Sequence, residues 1–143
     1  MNRMNQGKGL ELFWLLMGRM ALIIGLFMLI PFLTAMLRQE IEAWFFLAPA
    51  AIAIILGLGM ERLGVNHSRQ LTTRESAMFM VLVWVLLGTL GAMPYIISGI
   101  FPSVIAAIFE TIASLTTTGL SCLLFDRTTL PPALLLWHSI MSW

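Results

Sequence analysis

From Leu10 to Leu37 the chain is an almost unbroken apolar run, interrupted by the charges of Glu11 and Arg19. About 20 apolar residues suffice to cross the hydrocarbon core of a bilayer, so a run of this length is read as a membrane helix. It is also too long for the apolar region of a cleavable leader, which covers about 7–15 residues. Pro31 should bend the helix near its end, because proline removes an intrahelical hydrogen bond. Composition agrees with this reading: 59% of the 143 residues are hydrophobic and 10% are charged, against roughly 25% charged in soluble domains. With 8 Lys+Arg against 7 Asp+Glu there is no basic stripe to hold a phosphate backbone, which excludes nucleic acid as a partner. The single cysteine, Cys122, cannot form an intrachain disulfide, and His67 and His138 have no second ligand at metal spacing.

A short polar turn, Arg38-Gln39-Glu40-Ile41-Glu42, precedes a second uncharged stretch from Ala43 to Met60 that contains Pro49, Gly57 and Gly59. So short a turn makes the second helix antiparallel to the first. Glu61 to Arg74 is a polar loop carrying Arg62, Arg69, Arg74 and His67, and its end, Thr72-Thr73-Arg74-Glu75, fits a capping box. A third helix is expected from Thr73 to Ile97, kinked or ended by Pro94. Arg3, Lys8, Arg62, Arg69 and Arg74 then fall on one side of the membrane, and Arg38 and Arg127 on the other. The positive-inside rule places the amino terminus in the cytoplasm. Arg19 is read as snorkelling toward the cytoplasmic headgroups, with an ion-pathway role as the sharper alternative. Gly18, Gly25, Gly57, Gly88 and Gly91 allow close helix packing, while Trp14, Trp44 and Trp137 are placed near the interfaces.

Phe101 to Leu115 is apolar but too short to span, and it opens on Pro102-Ser103, a good helix start. It is read as a re-entrant half-helix on the outer side. The run that follows, Thr116-Thr117-Thr118-Gly119-Leu120-Ser121, disfavours helix through its β-branched residues and ends on a glycine free to adopt unusual backbone angles. An extended strand is expected there. At membrane depth its unpaired carbonyls need a partner, and a dehydrated cation is the natural one. The last residues, Pro131 to Trp143, start another apolar helix of only about 20 Å at 1.5 Å per residue, so the chain is expected to be the amino-terminal part of a longer protein.

Helix, half-helix, Thr-Thr-Gly strand and helix together resemble a membrane-pore-membrane unit. Phe109-Glu110, the triple threonine with Gly119, and Leu130-Pro131-Pro132-Ala133-Leu134-Leu135-Leu136-Trp137 resemble the first repeat of the Trk/Ktr/HKT potassium transporter superfamily. The two preceding helices resemble the extra amino-terminal pair of its Trk branch, so the likeness runs from Leu10 to Trp143. The resemblance implies an all-α polytopic protein of the cytoplasmic (inner) membrane. Its parts are a cytoplasmic start at 1–9, a transmembrane pair at 10–60, a cytoplasmic loop at 61–74 and an incomplete first repeat at 75–143. It implies potassium uptake, with Thr117, Thr118, Gly119 and Leu120 supplying backbone carbonyls to the ion and Thr116 and Ser121 flanking the path. It further implies a homodimer and gating by a cytoplasmic nucleotide-binding regulatory subunit. Potassium is the substrate, and no cofactor is implied. With one glycine in the strand, the filter should be looser than the Thr-Val-Gly-Tyr-Gly filter of tetrameric channels.

Glu110 falls mid-half-helix, where a carboxylate is costly unless paired. It either clamps the strand by accepting backbone N–H bonds or adds negative potential to the pore, and the first reading is favoured because buried polar groups are usually structural partners. Asp126 and Arg127 are read as an exposed pair on the outer face rather than a cation-attracting vestibule. Ser121 and His138 do not make a hydrolase, since no nucleophile elbow surrounds the serine. Two alternatives remain. The chain could be a non-transporting helical subunit that packs against other membrane proteins, or a channel made of four copies, since one ion needs four filter strands around it and this chain carries one.

Overall fold

The computed structural model describes residues 3–64, 71–122 and 130–142, and every regular element among them is an α-helix. Their order is α1 (Arg3–Leu37), α2 (Ala43–Leu63), α3 (Thr73–Ser98), α4 (Val104–Leu115) and α5 (Pro132–Met141). By length and composition three stretches can cross a membrane: Glu11–Leu37 of α1, Ala43–Leu63 and Thr73–Ser98. The 12 residues of α4 reach only about 18 Å at 1.5 Å per residue, well short of the roughly 30 Å core. The expectations placed on His67, Arg69, Asp126 and Arg127 lie outside the described residues.

α1 and α2 form a tight antiparallel hairpin. α1 ends in a Schellman motif: Glu40 N–H donates to Ala35 O at 2.9 Å and Gln39 N–H to Met36 O at 3.1 Å, with Gln39 left-handed at φ 56°. Further along, the backbones touch at glycines. A Cβ on Gly18 would lie 2.7 Å from the Gly57 carbonyl oxygen and 2.8 Å from the Glu61 nitrogen, closer than real side chains allow. Only a residue without a side chain permits that approach, and the reward is dispersion contact along the seam. At the same end Arg19 reaches across to Glu61, with Nε 3.4 Å from Oε1. The snorkelling assigned to Arg19 is therefore joined by a specific partner on α2, which Glu61 provides because α2 runs past Met60 to Leu63.

α3 opens with the capping box read from the sequence. Thr72 Oγ1 accepts from Glu75 N–H at 3.4 Å, and Thr72 N–H donates to the Glu75 carboxylate at 2.8 Å. Pro94 does not end the helix, which continues to Ser98 and stops where Gly99 turns left-handed at φ 66°. Pro31, Pro49 and Pro94 are all among the fully buried side chains, so the turns they weaken lie inside the bundle, where neighbouring helices surround the freed carbonyls.

α5 lies against α1, α3 and α4. Trp137 is fully buried, edge-on to Phe46 of α2 at 6.2 Å, and its indole N–H donates to Gly91 O of α3 at 2.9 Å. The interfacial position expected for Trp137 is thus corrected. Its N–H finds a backbone carbonyl inside the bundle, which removes the cost that keeps indoles at the wet interface. The outward faces of α1, α2 and α3 carry exposed Leu26, Phe27, Leu33, Ile55, Leu58, Val81 and Val85, the surface a lipid-facing bundle presents.

Candidate functional site

α4 is set in place at both ends. Ser103 caps it, its Oγ accepting from Ala106 N–H at 3.1 Å, which starts the helix at Val104 rather than at Phe101. Phe101 is instead buried, edge-on to Tyr95 at 5.3 Å. One face of α4, with Ala107, Glu110, Thr111 and Ser114, is buried, while Val104, Ile105, Phe109 and Ile112 are exposed.

The carboxyl end of α4 is a second Schellman motif. Thr118 N–H donates to Ala113 O at 3.1 Å and Thr117 N–H to Ser114 O at 3.0 Å, with Thr117 in the left-handed position at φ 54°. Glycine usually occupies that position. A β-branched residue there is strained by about 1–2 kcal/mol, so the geometry is held by the bonds around it. Two hydroxyls contribute: Thr116 Oγ1 donates to Ile112 O at 2.8 Å and Thr118 Oγ1 to Ala113 O at 3.0 Å. The carbonyls of residues 112, 113 and 114 are thereby occupied, and the hydroxyls of Thr116 and Thr118 are turned back onto α4.

Beyond this cap the chain leaves regular structure. Residues 118–122 are neither helix nor paired strand, Gly119 takes φ 73°, and Thr116 through Ser121 are exposed. No atom lies within 4 Å of where a Gly119 Cβ would stand, so the constraint at this position is conformational and not steric. Thr117, Gly119 and Leu120 line a cavity of about 200 Å³ together with Ser114 of α4, His138 of α5 and Ser142 just after it.

The far end of this segment is tied to Glu110, which is completely buried. Its Oε2 accepts from Cys122 N–H at 2.7 Å, and Ser121 Oγ donates to the carboxylate at 2.9 Å and 3.1 Å. Glu110 therefore closes a loop of backbone: residues 117 and 118 are bonded to the end of α4, residues 121 and 122 to its middle, and the stretch between bows outward. His138 of α5 completes the surroundings, with Nδ1 3.7 Å from Glu110 Oε1 and 3.5 Å from the Tyr95 hydroxyl of α3. Of the residues singled out from sequence, Thr116–Ser121 and Glu110 come together here. Tyr95 and His138 were not assigned to the site. The available signal was weak, a lone tyrosine and a histidine each inside an apolar helix, where a polar group needs a partner. Among the described residues no group of His, Cys, Asp or Glu is arranged to hold a metal ion.

No family model matches the chain. It is 29% identical over 129 residues to the Trk system potassium uptake protein TrkH of Escherichia coli (strain K12), covering 90% of this chain and 26% of that protein. To the Trk system potassium uptake protein TrkI of Halomonas elongata it is 30% identical over 124 residues, which is 85% of this chain and 25% of the relative. An uncharacterized cation transporter of Methanocaldococcus jannaschii is 27% identical over 90% of this chain and 26% of its own length. Among solved structures, the potassium transporter TrkH from Vibrio parahaemolyticus superposes with a TM-score of 0.81 at 25% identity, covering 94% of this chain and 28% of that one. The chain thus spans about a quarter of the length of the relatives it matches.

Proposed function

We propose, for a chain that has the sequence and fold of part of a Trk-type potassium transporter, that it forms one wall of a potassium uptake pathway. The carbonyls of Thr117, Thr118, Gly119 and Leu120 replace part of the hydration shell of the ion. Carbonyl dipoles at membrane depth are suited to this because they offer the partial negative charge of water without a fixed ionic charge that would trap the ion. The observation that carries the reading is the bowed, exposed backbone between the cap of α4 and the Glu110 anchor. There, Thr117 and Gly119, on either side of Thr118, use left-handed angles, and the segment makes no ladder with a strand among the described residues.

Two features of the site support the same reading. The hydroxyls of Thr116 and Thr118 donate to carbonyls of α4, which fixes both side chains against the helix beside the segment. α4 ends at Leu115, two residues before Thr117, so the negative end of its dipole lies beside the path and favours a cation. Transport down an inward-negative potential gains about 2.3 kcal/mol per charge per 100 mV, and no chemistry on the ion is required. One such segment supplies one side of the ion, and the remaining sides come from equivalent segments of the transporting assembly. In this reading the amino terminus faces the cytoplasm, the protein works as a homodimer in the cytoplasmic membrane, and a cytoplasmic nucleotide-binding subunit regulates it.

The test is to express the protein that carries this chain in cells stripped of their own potassium uptake. Growth is followed at limiting potassium, together with uptake of radioactive rubidium as a potassium surrogate. Both should rise above the empty-vector level. Equal growth and uptake with vector and protein, at confirmed membrane abundance, would overturn the proposal in favour of a non-transporting subunit.

A further inference from the structure

The ion path as proposed touches Thr117 to Leu120, yet a deeply buried polar cluster lies behind it. Glu110, Tyr95 and His138 come from α4, α3 and α5 and are 0%, 1% and 4% exposed. Burying a carboxylate away from water costs several kcal/mol unless donors surround it. Two donors come from the path itself, Cys122 N–H and Ser121 Oγ–H, and both approach Glu110 from the side of the segment. Oε1, which also accepts from Ser121 Oγ at 2.9 Å, has Nδ1 of the His138 imidazole at 3.7 Å.

Resting on the functional reading above, we propose that His138 is a positioning residue for the ion path and acts through Glu110. With its proton on Nδ1 the ring turns an N–H toward Oε1 from 3.7 Å, an electrostatic contact longer than a hydrogen bond, and this favours the carboxylate orientation in which Oε2 meets Cys122 N–H. The Tyr95 hydroxyl, 3.5 Å from the same nitrogen, is fixed by edge packing on Phe101 and limits rotation of the ring. Which nitrogen carries the proton is set by what the other atoms around it accept, and the partner at Nδ1 is an acid. The consequence is mechanical: the Glu110 carboxylate connects α5 and α3 to residues 121 and 122. A displacement of α5 is thereby passed to the carbonyls between Thr117 and Leu120. His138 of α5 also lines the same cavity as Thr117, Gly119 and Leu120, so a movement of α5 reaches that side of the segment as well.

The test compares His138→Leu, His138→Asn and His138→Gln in the protein that carries this chain, scoring rubidium uptake and its inhibition by sodium at matched membrane abundance. The Asn amide nitrogen falls near the position of Nδ1 and the Gln amide nitrogen near Nε2, so only Asn keeps a donor where Glu110 needs it. Coupled neighbours typically interact strongly enough to change an equilibrium about three- to tenfold or more. His138→Leu and His138→Gln should therefore lower the preference for rubidium over sodium by about that factor, with His138→Asn restoring it. In a Glu110→Gln background the His138→Leu change should add little, since the route through the carboxylate is already altered. If His138→Leu fails to accumulate, the Asn and Gln pair decides. Equal ion preference in all three variants, Asn no better than Gln, or a His138→Leu effect undiminished by Glu110→Gln, would overturn the proposal. Absence of uptake by the unsubstituted protein would instead overturn the functional reading, and this assignment with it.

Discussion

Replacing Glu110 by Gln and by Ala separates the two jobs a carboxylate could do beside an ion path. The carboxylate holds two donors of the segment, Cys122 N–H at 2.7 Å and Ser121 Oγ at 2.9 Å. Hydrogen bonds to a charged group are worth about 1.5–3 kcal/mol net, against about 0.5–1.5 for neutral pairs. Because Ser121 is exposed and Cys122 half-buried, the lower ends apply. Glu110→Ala then removes about 3 kcal/mol of anchoring, two bonds at about 1.5 each, which shifts the balance between anchored and released backbone by about a hundredfold. Glu110→Gln keeps an oxygen for Cys122 N–H and an amide for Ser121 Oγ, and loses only charge assistance, about 1 kcal/mol per bond or roughly a thirtyfold shift in total. Rubidium uptake in potassium-uptake-deficient cells, with sodium as competitor, should therefore fall in the order unsubstituted, Gln, Ala, and ion preference should degrade with it. If Gln and Ala reduce the rate equally while leaving ion preference intact, Glu110 acts by its negative potential and the anchoring argument is wrong.

Thr117→Gly should relieve the strain of a β-branched residue at φ 54° and raise the stability of the purified protein by about 1 kcal/mol or slightly more, read as a higher midpoint of thermal unfolding in detergent. A lower midpoint would mean that the threonine side chain holds the turn. Gly18→Val drives a side chain into the Gly57 carbonyl, 2.7 Å from the Cβ position, and should cost about 1–3 kcal/mol as α1 and α2 separate; an unchanged unfolding midpoint would contradict the close seam. Arg19→Gln breaks an ion pair whose side chains are 51% and 32% exposed and should cost at most about 1 kcal/mol, so a severe loss of folded protein would point to a role beyond pairing with Glu61.

The spans were legible because length and hydrophobicity decide them. Apolar runs at Leu10–Leu37 and Ala43–Met60 became α1 and α2, the second extended to Leu63 by helix-favouring residues such as Glu61 and Arg62, and the first begun at Arg3, ahead of the apolar run, through residues that periodicity did not mark. Thr72 and Glu75 announced their own capping box by spacing. Trp137 was misplaced because an indole is equally at home at an interface or buried with a carbonyl in reach, and Gly91 O, 46 residues away, leaves no local trace. Pro94 lies inside α3, which ends at Ser98, one residue past the expected Ile97; packing around a proline decides whether the helix it weakens ends there. In the site, the glycine and threonine run marked where helix stops, but the extended strand expected there is instead a turn at Thr116–Thr117 and an irregular stretch, with Thr117 and Gly119 left-handed. The partners of the carboxylate, Ser121, Cys122 and His138, are joined to Glu110 by tertiary approach, which periodicity does not encode. The left-handed angle at Thr117 was likewise hidden, since β-branching argues against it.

The central claim is that main-chain carbonyls around Gly119 bind a dehydrated potassium ion. Gly119 has φ 73° and open space at its Cβ position, so Gly119→Ser changes the backbone preference there by about 1–2 kcal/mol without any clash. The most direct measurement is ion preference of rubidium uptake against sodium for the Gly119→Ser protein beside the unsubstituted one, at equal membrane abundance. The account expects the preference for rubidium to fall about tenfold as the carbonyls turn off the path, while sodium uptake is kept or increased. Unchanged uptake of both ions would contradict it and remove Thr117 to Leu120 from the ion path.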